Sequence, residues 1–403
     1  MRILILSSSD GIALTLMRCI GLGAQQPIEC FLFSIWPSQG FANRSRYCKG
    51  AAIAEMTDFS KPTVDCMVEL INEHAERYKI DVIVPAGLWG TYFLALFQGR
   101  LGVKVFPVPA AKAFRQLNDK GRFSELMQTL NVPTPLTASL EAMDPDCQRW
   151  SYPLVIKPTC AGNSMGIRIL SAPEDFLTYR ERMDSRHRFI LQEYIEGIDF
   201  VFGFIAEHGA LKAWTLHRKG AGKLHFTADE SVLKMAQKVI GVTGYHGVGN
   251  FDVRWDQRRQ KFLLIECNPR FWGSVGISRY FGTDFLAMGF AMLHQPSCPL
   301  TPALGVNHTI VLPYPNPIRH LCGYSMDRQY LQPGYLPSFA WRELIDPWPT
   351  LIERWLRFLK VMAVDDNVMI DAEEDPSCCS DVLSPCVGNG VEPLQIPFIE
   401  DVT

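Results

Sequence analysis

Gly249-Asn250-Phe251-Asp252-Val253-Arg254-Trp255, resumed after a polar run by Leu263-Leu264-Ile265-Glu266-Cys267-Asn268-Pro269-Arg270, is the stretch from which the rest of the chain is read. The first segment alternates with a period of two. Phe251, Val253 and Trp255 therefore take one face of a strand, and Asn250, Asp252 and Arg254 the other. In the second segment the same period groups Leu263, Ile265 and Cys267, and leaves Glu266 and Asn268 opposite them with Leu264. Asp256-Gln257-Arg258-Arg259 suits a hairpin turn, which predicts Asp252 roughly across from Glu266. Two carboxylates and an amide oxygen then converge. Mg²⁺ shared with nucleotide phosphates takes such hard oxygen ligands and completes its octahedron with water and phosphate oxygens. Arg270 could grip a phosphate or a developing oxyanion with both prongs of its guanidinium. A lone Glu-x-Asn fits a solvated surface hairpin just as well, so the rest of the chain has to decide.

At 403 residues the chain exceeds one ordinary core, and roughly 100–200 residues per domain allow two to four units. Hydrophobic residues at 47% with charged residues at 20% describe a globular protein, and a net charge of −3 supplies no basic field for nucleic acid. Small-molecule chemistry is the default that remains. The cysteines are scattered, and Cys19, Cys30, Cys66 and Cys267 sit in apolar runs where a thiol acts as a small hydrophobe. Reduced thiols and a cytoplasmic location are expected. The apolar start Ile3-Leu4-Ile5-Leu6 is cut short by Ser7-Ser8-Ser9-Asp10-Gly11, too soon for a secretory h-region, and reads as a buried first strand. No run of about 18 apolar residues occurs, so no transmembrane segment is expected.

Taken in order, Ile3–Leu6, Ile12–Gly23, Glu29–Ile35, Val64–Tyr78 and Asp81–Ala86 read as strand, helix, strand, helix and strand, an open Rossmann-like α/β domain. Its first turn lacks Gly-x-Gly-x-x-Gly, which excludes a dinucleotide site there and with it an NAD oxidoreductase. After Ala110 the pattern changes. Asn118-Asp119-Lys120 opens a helix, with Asn118 as the expected N-cap. A cation in that first turn runs against the helix dipole, so Lys120 is either solvated or placed beside an anion.

Tyr152-Pro153-Leu154-Val155-Ile156-Lys157-Pro158 is a short strand carrying Lys157 near its end. The loop after it includes Gly162, Ser164 and Gly166, a glycine- and hydroxyl-rich stretch that could turn N–H groups toward phosphate oxygens or be an ordinary long hairpin. Gln192-Glu193-Tyr194-Ile195 ends a further strand, with Asp199 opening the next, and Ser231–Thr243 is a helix.

Asp119-Lys120, Val155-Ile156-Lys157-Pro158, the loop Gly162 to Gly166, Gln192 to Gly197, Asp252 and Glu266 to Arg270 together resemble, in order and spacing, the ATP-grasp superfamily of carboxylate–amine ligases over roughly residues 1 to 300. The resemblance implies an ATP-grasp fold of two α+β subdomains after the Rossmann-like domain. It implies ATP and Mg²⁺ (or Mn²⁺) as cofactors, with Lys120 and Lys157 on phosphates and the loop of Gly162, Ser164 and Gly166 as a flap. Gln192, Glu193, Tyr194 and Ile195 would form an adenine hinge, in which Glu193 contributes beside the backbone, and Asp199, where many members have Glu, would meet ribose. Asp252, Glu266 and Asn268 would be metal ligands, and Arg270 with Lys157 catalytic. The reaction implied is phosphorylation of a carboxylate to an acyl phosphate, from which an amine displaces phosphate. Small-molecule carboxylates and amines, amino acids or peptides foremost, would be the partners. Carbamoyl-phosphate or carboxylase-like chemistry, and nucleotide binding without catalysis, are the rivals.

The boundaries read from this pattern are 1–112, 113–186, 187–300, a Pro/Trp-rich and helical region 301–364, and an acidic, mobile tail 365–403. Phe271 to Gly276 is expected on the acceptor side of the site. The helix Leu351–Met362 suits packing on its own domain, a homodimer interface or a membrane surface. Cys378, Cys379 and Cys386 lack the second ligand pair of a zinc site.

Overall fold

The computed structural model describes residues 1–23, 28–35, 40–140, 150–160, 166–180, 188–220, 223–294, 309–311 and 345–363. Gly162 and Ser164 of the expected flap, Pro313, Pro315, Pro317 and Trp341, and the tail with Cys378, Cys379 and Cys386 lie outside the described residues. The chain divides into two compact units, residues 1–106 with the chain from 346 onward, and residues 107–345. The first unit thus ends at Phe106 rather than at 112, and the helix expected in a separate region returns to it.

In the first unit β1 (Arg2–Ser7), α1 (Asp10–Gly23), β2 (Glu29–Ser34), β3 (Cys48–Ile53), α2 (Lys61–Arg77), β4 (Val82–Ala86), α3 (Leu88–Phe97) and β5 (Lys104–Val105) alternate. They build a parallel sheet of order β3-β2-β1-β4-β5. Ile3, Leu4, Ile5 and Leu6 are all inaccessible because a central parallel strand is covered on both faces. Gly90 lets α3 approach β1 closely: a Cβ there would lie 2.4 Å from the Leu6 carbonyl oxygen. The helix Pro347–Ala363 is tied to α1 through a buried ion pair, Arg18 Nε to Asp346 Oδ2 at 3.1 Å. Ser45 Oγ also donates to Asp346 at 2.8 Å, and Arg18 Nη2 to Thr350 Oγ1 at 2.9 Å.

The second unit starts with α4 (Ala111–Asn118) and α5 (Lys120–Thr129). β6 (Thr137–Ser139), β7 (Leu154–Pro158), β8 (Arg168–Leu170), α6 (Pro173–Arg180) and β9 (Phe189–Glu193) follow. The four strands form an antiparallel sheet of order β6-β9-β7-β8. β9, expected to open the region from 187, is thus bonded into the earlier sheet. Leu154, Ile156, Leu170, Phe176, Phe189 and Leu191 close its core.

A six-stranded antiparallel sheet of order β14-β13-β10-β11-β12-β15 comes next. It is made of β10 (Gly197–Glu207), β11 (Ala210–Gly220), β12 (Lys223–Thr227), β13 (Gly247–Asp256), β14 (Lys261–Asn268) and β15 (Thr309–Val311), with α7 (Glu230–Thr243) and α8 (Phe285–Met292) between. Phe202, Phe204, Leu216, Phe251, Val253, Leu264 and Cys267 point into one core with Phe123 of α5 and Val232, Ala236 and Ile240 of α7. Asp229 caps α7 by accepting from the Ser231 and Val232 amides. Among the described residues no helix is long and apolar enough to cross a membrane.

Candidate active site

The hairpin of β13 and β14 departs from strict alternation at one point. From its tip, Asp256 pairs with Lys261, Arg254 with Leu263 and Val253 with Leu264, but Asp252 pairs with Glu266, so Ile265 is an extra residue in a bulge. Without it Asp252 would face Ile265, and Glu266 would fall opposite Phe251 in the core. The expected apolar set Leu263, Ile265, Cys267 is therefore corrected: Leu264 and Cys267 share the core face, because the bulge shifts the phase between them. Asp256 secures the turn, its Oδ1 accepting from the Arg258 and Arg259 amides at 2.9 Å each.

Opposed residues of an antiparallel pair point to the same face. The other face of the large sheet consequently carries side chains in rows across four strands. One row is His217, Val201, Asp252 and Glu266. Thr215, Gly203, Asn250 and Asn268 form the row on one side of it, and Asp199 with Arg254 begins the row on the other.

Lys157 arrives from the smaller sheet. Its Nζ lies 3.2 Å from Glu266 Oε2, and the residue is only 2% exposed. Lys120, at the start of α5, is buried as well, its amide donating to Thr159 O at 2.8 Å just past β7. The cap of α5 is Asp119 and not Asn118, which belongs to α4: Asp119 Oδ1 accepts from the Gly121 and Arg122 amides. The anion that accounts for Lys120 in a first turn is Glu266. Burial by itself would raise the Glu266 carboxyl, but the ammonium groups of Lys120 and Lys157 hold it well below the usual carboxylate range. Lys157 is lowered by its burial, with Lys120 adding to the effect and Glu266 opposing it.

Arg270 and Asn268 continue this cluster. Arg270 Nη2 donates to Asn268 Oδ1 at 3.1 Å, and Asn268 Nδ2 to Asp252 Oδ2 at 3.3 Å. Asp252, Glu266, Asn268, Arg270, Lys157 and Lys120 are thus brought together. Two carboxylates and an amide oxygen on one rigid face are the donor set that a hard divalent cation requires.

The residues named for a hinge part company. Gln192 lies on the face of the small sheet that carries Lys157, since Val155 pairs with Gln192 and Lys157 with Ile190, and it donates to Thr137 Oγ1 at 2.9 Å. Glu193 falls on the opposite face, where its Oε1 accepts from Arg259 and lies 3.5 Å from Arg258. Its carboxylate therefore points to the face opposite Lys157. A cavity of about 430 Å³ lined by Thr137, Glu193, Arg259 and Lys261 lies on this side, and none of the Asp252–Glu266 row lines it. Asp199 Oδ1 pairs with Arg254 Nη1 at 2.7 Å, and that guanidinium lies over the Tyr194 ring at 5.7 Å. Ile195 is buried. Gly166 has φ +68°, and a Cβ on it would lie 2.8 Å from Pro158 Cγ, so it lies against β7 at a position that suits glycine.

Sequence reasoning missed Thr137 and Ile169. Ile169 pairs with Val155 and so shares the Lys157 face, yet it is 55% exposed. Nothing in the sequence distinguishes it from Leu170, the other apolar residue of β8; only the register does.

Comparison with known proteins bears on the family and the fold. Residues 185–308 match a family model described as ATP-grasp in the biosynthetic pathway with Ter operon. The C-terminal section of the carbamoyl phosphate synthase large chain of Methanopyrus kandleri is 23% identical over 247 residues, 55% of this chain and 45% of that protein. A D-alanine–D-alanine ligase of Pseudomonas putida is 24% identical over 173 residues, 37% of this chain and 54% of the ligase. The chain thus spans about half the length of these relatives. The biotin carboxylase domain of Hydrogenobacter thermophilus 2-oxoglutarate carboxylase, crystallised with MgADP and bicarbonate, shares the fold. Its TM-score is 0.59 at 17% identity, covering 76% of this chain and 73% of that one.

Proposed function

We propose, this chain being a member of the ATP-grasp superfamily, that it is an ATP-dependent ligase joining a small-molecule carboxylate to an amine. The observation that carries the reading is the meeting of Asp252 and Glu266 from the large sheet with Lys157 from the small sheet and Lys120 from α5. Paired anions and paired buried cations of this kind suit a metal and the phosphates it accompanies.

Asp252, Glu266 and Asn268 would hold Mg²⁺, and Glu266 is already held ionised, as a ligand must be. Bound there, the ion supplies charge neutralisation for the phosphates. Lys120 and Lys157 would take phosphate oxygens, with Glu266 as a ligand of the metal. The adenine would lie against Ile169 and Val155, on the face shared with Lys157 and Gln192, with backbone groups of residues 194 and 195 at its edge. Asp199 and Arg254, one row from Asp252, would meet the ribose.

A carboxylate is a poor electrophile because oxide is a poor leaving group. Its oxygen attacks the γ-phosphorus, the bond to the ADP oxygen breaks, and an acyl phosphate results. An amine nitrogen then attacks the acyl carbon, phosphate leaves and the nitrogen loses a proton. Arg270, bonded to Asn268, would neutralise the oxyanion. Catalysis lies mainly in bringing anions together. The first unit we read as a Rossmann-like domain without a dinucleotide site.

Purified protein incubated with MgATP and pools of carboxylates and amines, with Glu266→Gln as background, tests this. ADP release that depends on one carboxylate and rises with one amine supports the ligase. Release driven by bicarbonate alone supports a carboxylase instead, and no release from any pool rejects both.

A further inference from the structure

The order of the rows gives the site a direction. Tyr194 with Asp199 and Arg254 stands at one end, Asp252 with Glu266 in the middle, and Asn250 with Asn268 at the other end. If the nucleotide lies along this axis with its phosphates at the middle row, the group that receives the γ-phosphoryl lies toward the Asn250 and Asn268 end.

That end has an unusual composition. Asn250 is 3% exposed, and its Oδ1 has no hydrogen-bond partner among the described residues; the same holds for Nε1 of Trp272, which is 7% exposed. Both residues border Gly203. Gly203, the cross-strand partner of Asn250, leaves the space that the indole occupies, since a Cβ on it would lie 2.4 Å from Trp272 Cζ2. One atom is an acceptor and the other a donor. A buried polar atom left unpaired costs about 1–3 kcal/mol, so two at one end of the site point to a ligand that completes them.

We propose that Asn250 and Trp272 select the carboxylate substrate, and that this substrate is an α-amino acid. The Trp272 Nε1–H donates to a carboxylate oxygen, while the α-ammonium one carbon away donates to Asn250 Oδ1. Arg270, bonded to Asn268 in the same row, is placed beside the same carboxylate. Both residues are specificity-determining; neither exchanges a proton or a bond. The assignment rests on the ligase reading, with the phosphorylated carboxylate as the amino acid's own.

Calorimetry on the full chain saturated with Mg²⁺ and a non-hydrolysable ATP analogue tests it. Alanine, phenylalanine and glutamate are compared with propionate, 3-phenylpropionate and glutarate. At least one amino acid is expected to bind roughly tenfold or more tighter than its des-amino partner, as one charge-assisted hydrogen bond allows. Trp272→Phe, which keeps the ring and loses the donor, is expected to weaken the acid about tenfold with the analogue's affinity unchanged. Asn250→Ala is expected to abolish the preference for the amino group. Equal binding of amino and des-amino acids, binding of neither, or a preference surviving both substitutions overturns the assignment. The analogue's own titration separates the two readings: if it binds and the acids show no preference, only this inference falls; if it fails to bind, the ligase reading falls too.

Discussion

Lys157 and Glu266 join the two sheets of the second unit through one ion pair, Nζ to Oε2 at 3.2 Å, with the lysine almost wholly buried. The pair therefore has two duties. It fastens β7 to β14, and it holds in reserve the groups that the proposed nucleotide and metal would claim.

Removing one partner leaves the other's charge buried, which costs about 3–5 kcal/mol where burial is complete. Lys157→Met is expected to lower the thermal midpoint and to weaken ATP binding at least tenfold. Combining it with Glu266→Gln is expected to recover much of the stability and none of the binding. Melting curves of the single and double variants, with nucleotide titrations, check both halves.

Glu266→Gln alone keeps the shape of the side chain and removes its charge. Turnover of MgATP is expected to fall by orders of magnitude while circular dichroism stays native. Near-normal ADP release in this variant would remove the metal assignment.

Gly90→Ala drives a methyl to 2.4 Å from the Leu6 carbonyl oxygen, a backbone atom of the central strand that cannot swing aside. Overpacking of this sort costs about 1–3 kcal/mol. The expected result is a lower denaturation midpoint for the first unit.

His208 and His246 stack with centroids 4.2 Å apart and planes 12° from parallel. Burial lowers the His246 imidazole, the neighbouring ring lowers it further, and Glu207 opposes both. His246 thus stays neutral in the folded protein at pH values where the unfolded chain, titrating near pH 6.5, takes up a proton. Its contribution to stability is complete above about pH 6.5 and is lost as pH falls toward the folded value. Denaturation midpoints at pH 7.5 and 5.5 are expected to differ less in His246→Gln than in the native sequence.

Asp346→Ala leaves the buried Arg18 guanidinium without its carboxylate and frees the Ser45 hydroxyl. A loss of about 3–5 kcal/mol is expected. Limited proteolysis near residue 345, faster than in the native chain, would mark release of the helix.

Alternation makes Asp252 and Glu266 legible as partners in the sequence alone, although the simple hairpin behind that expectation would separate them. Ile265 is the reason: one inserted residue restores the pairing, and nothing in Leu-Leu-Ile-Glu-Cys announces which residue the ladder will leave out. Lys120 is legible as an anomaly, and Glu266 resolves it. The face that Glu193 takes is not legible in the sequence, because the face of a strand residue depends on where pairing begins, and Leu154 opposite Glu193 fixes that only in three dimensions. Asn118 and Asp119 are both good caps, and the choice between them follows from α4 ending at Asn118, which leaves Asp119 as the single residue between it and α5.

The bond from Arg18 to Asp346 bears on the order in which the molecule is made. A ribosome translates the whole of the second unit before Asp346 exists, so α1 emerges and waits for a counter-ion encoded far downstream. The second unit, continuous in the chain, can close as soon as it has left the exit tunnel. The first unit, begun earlier, is completed only after the helix Pro347–Ala363 has been released, and the piece synthesised first is the last to be finished.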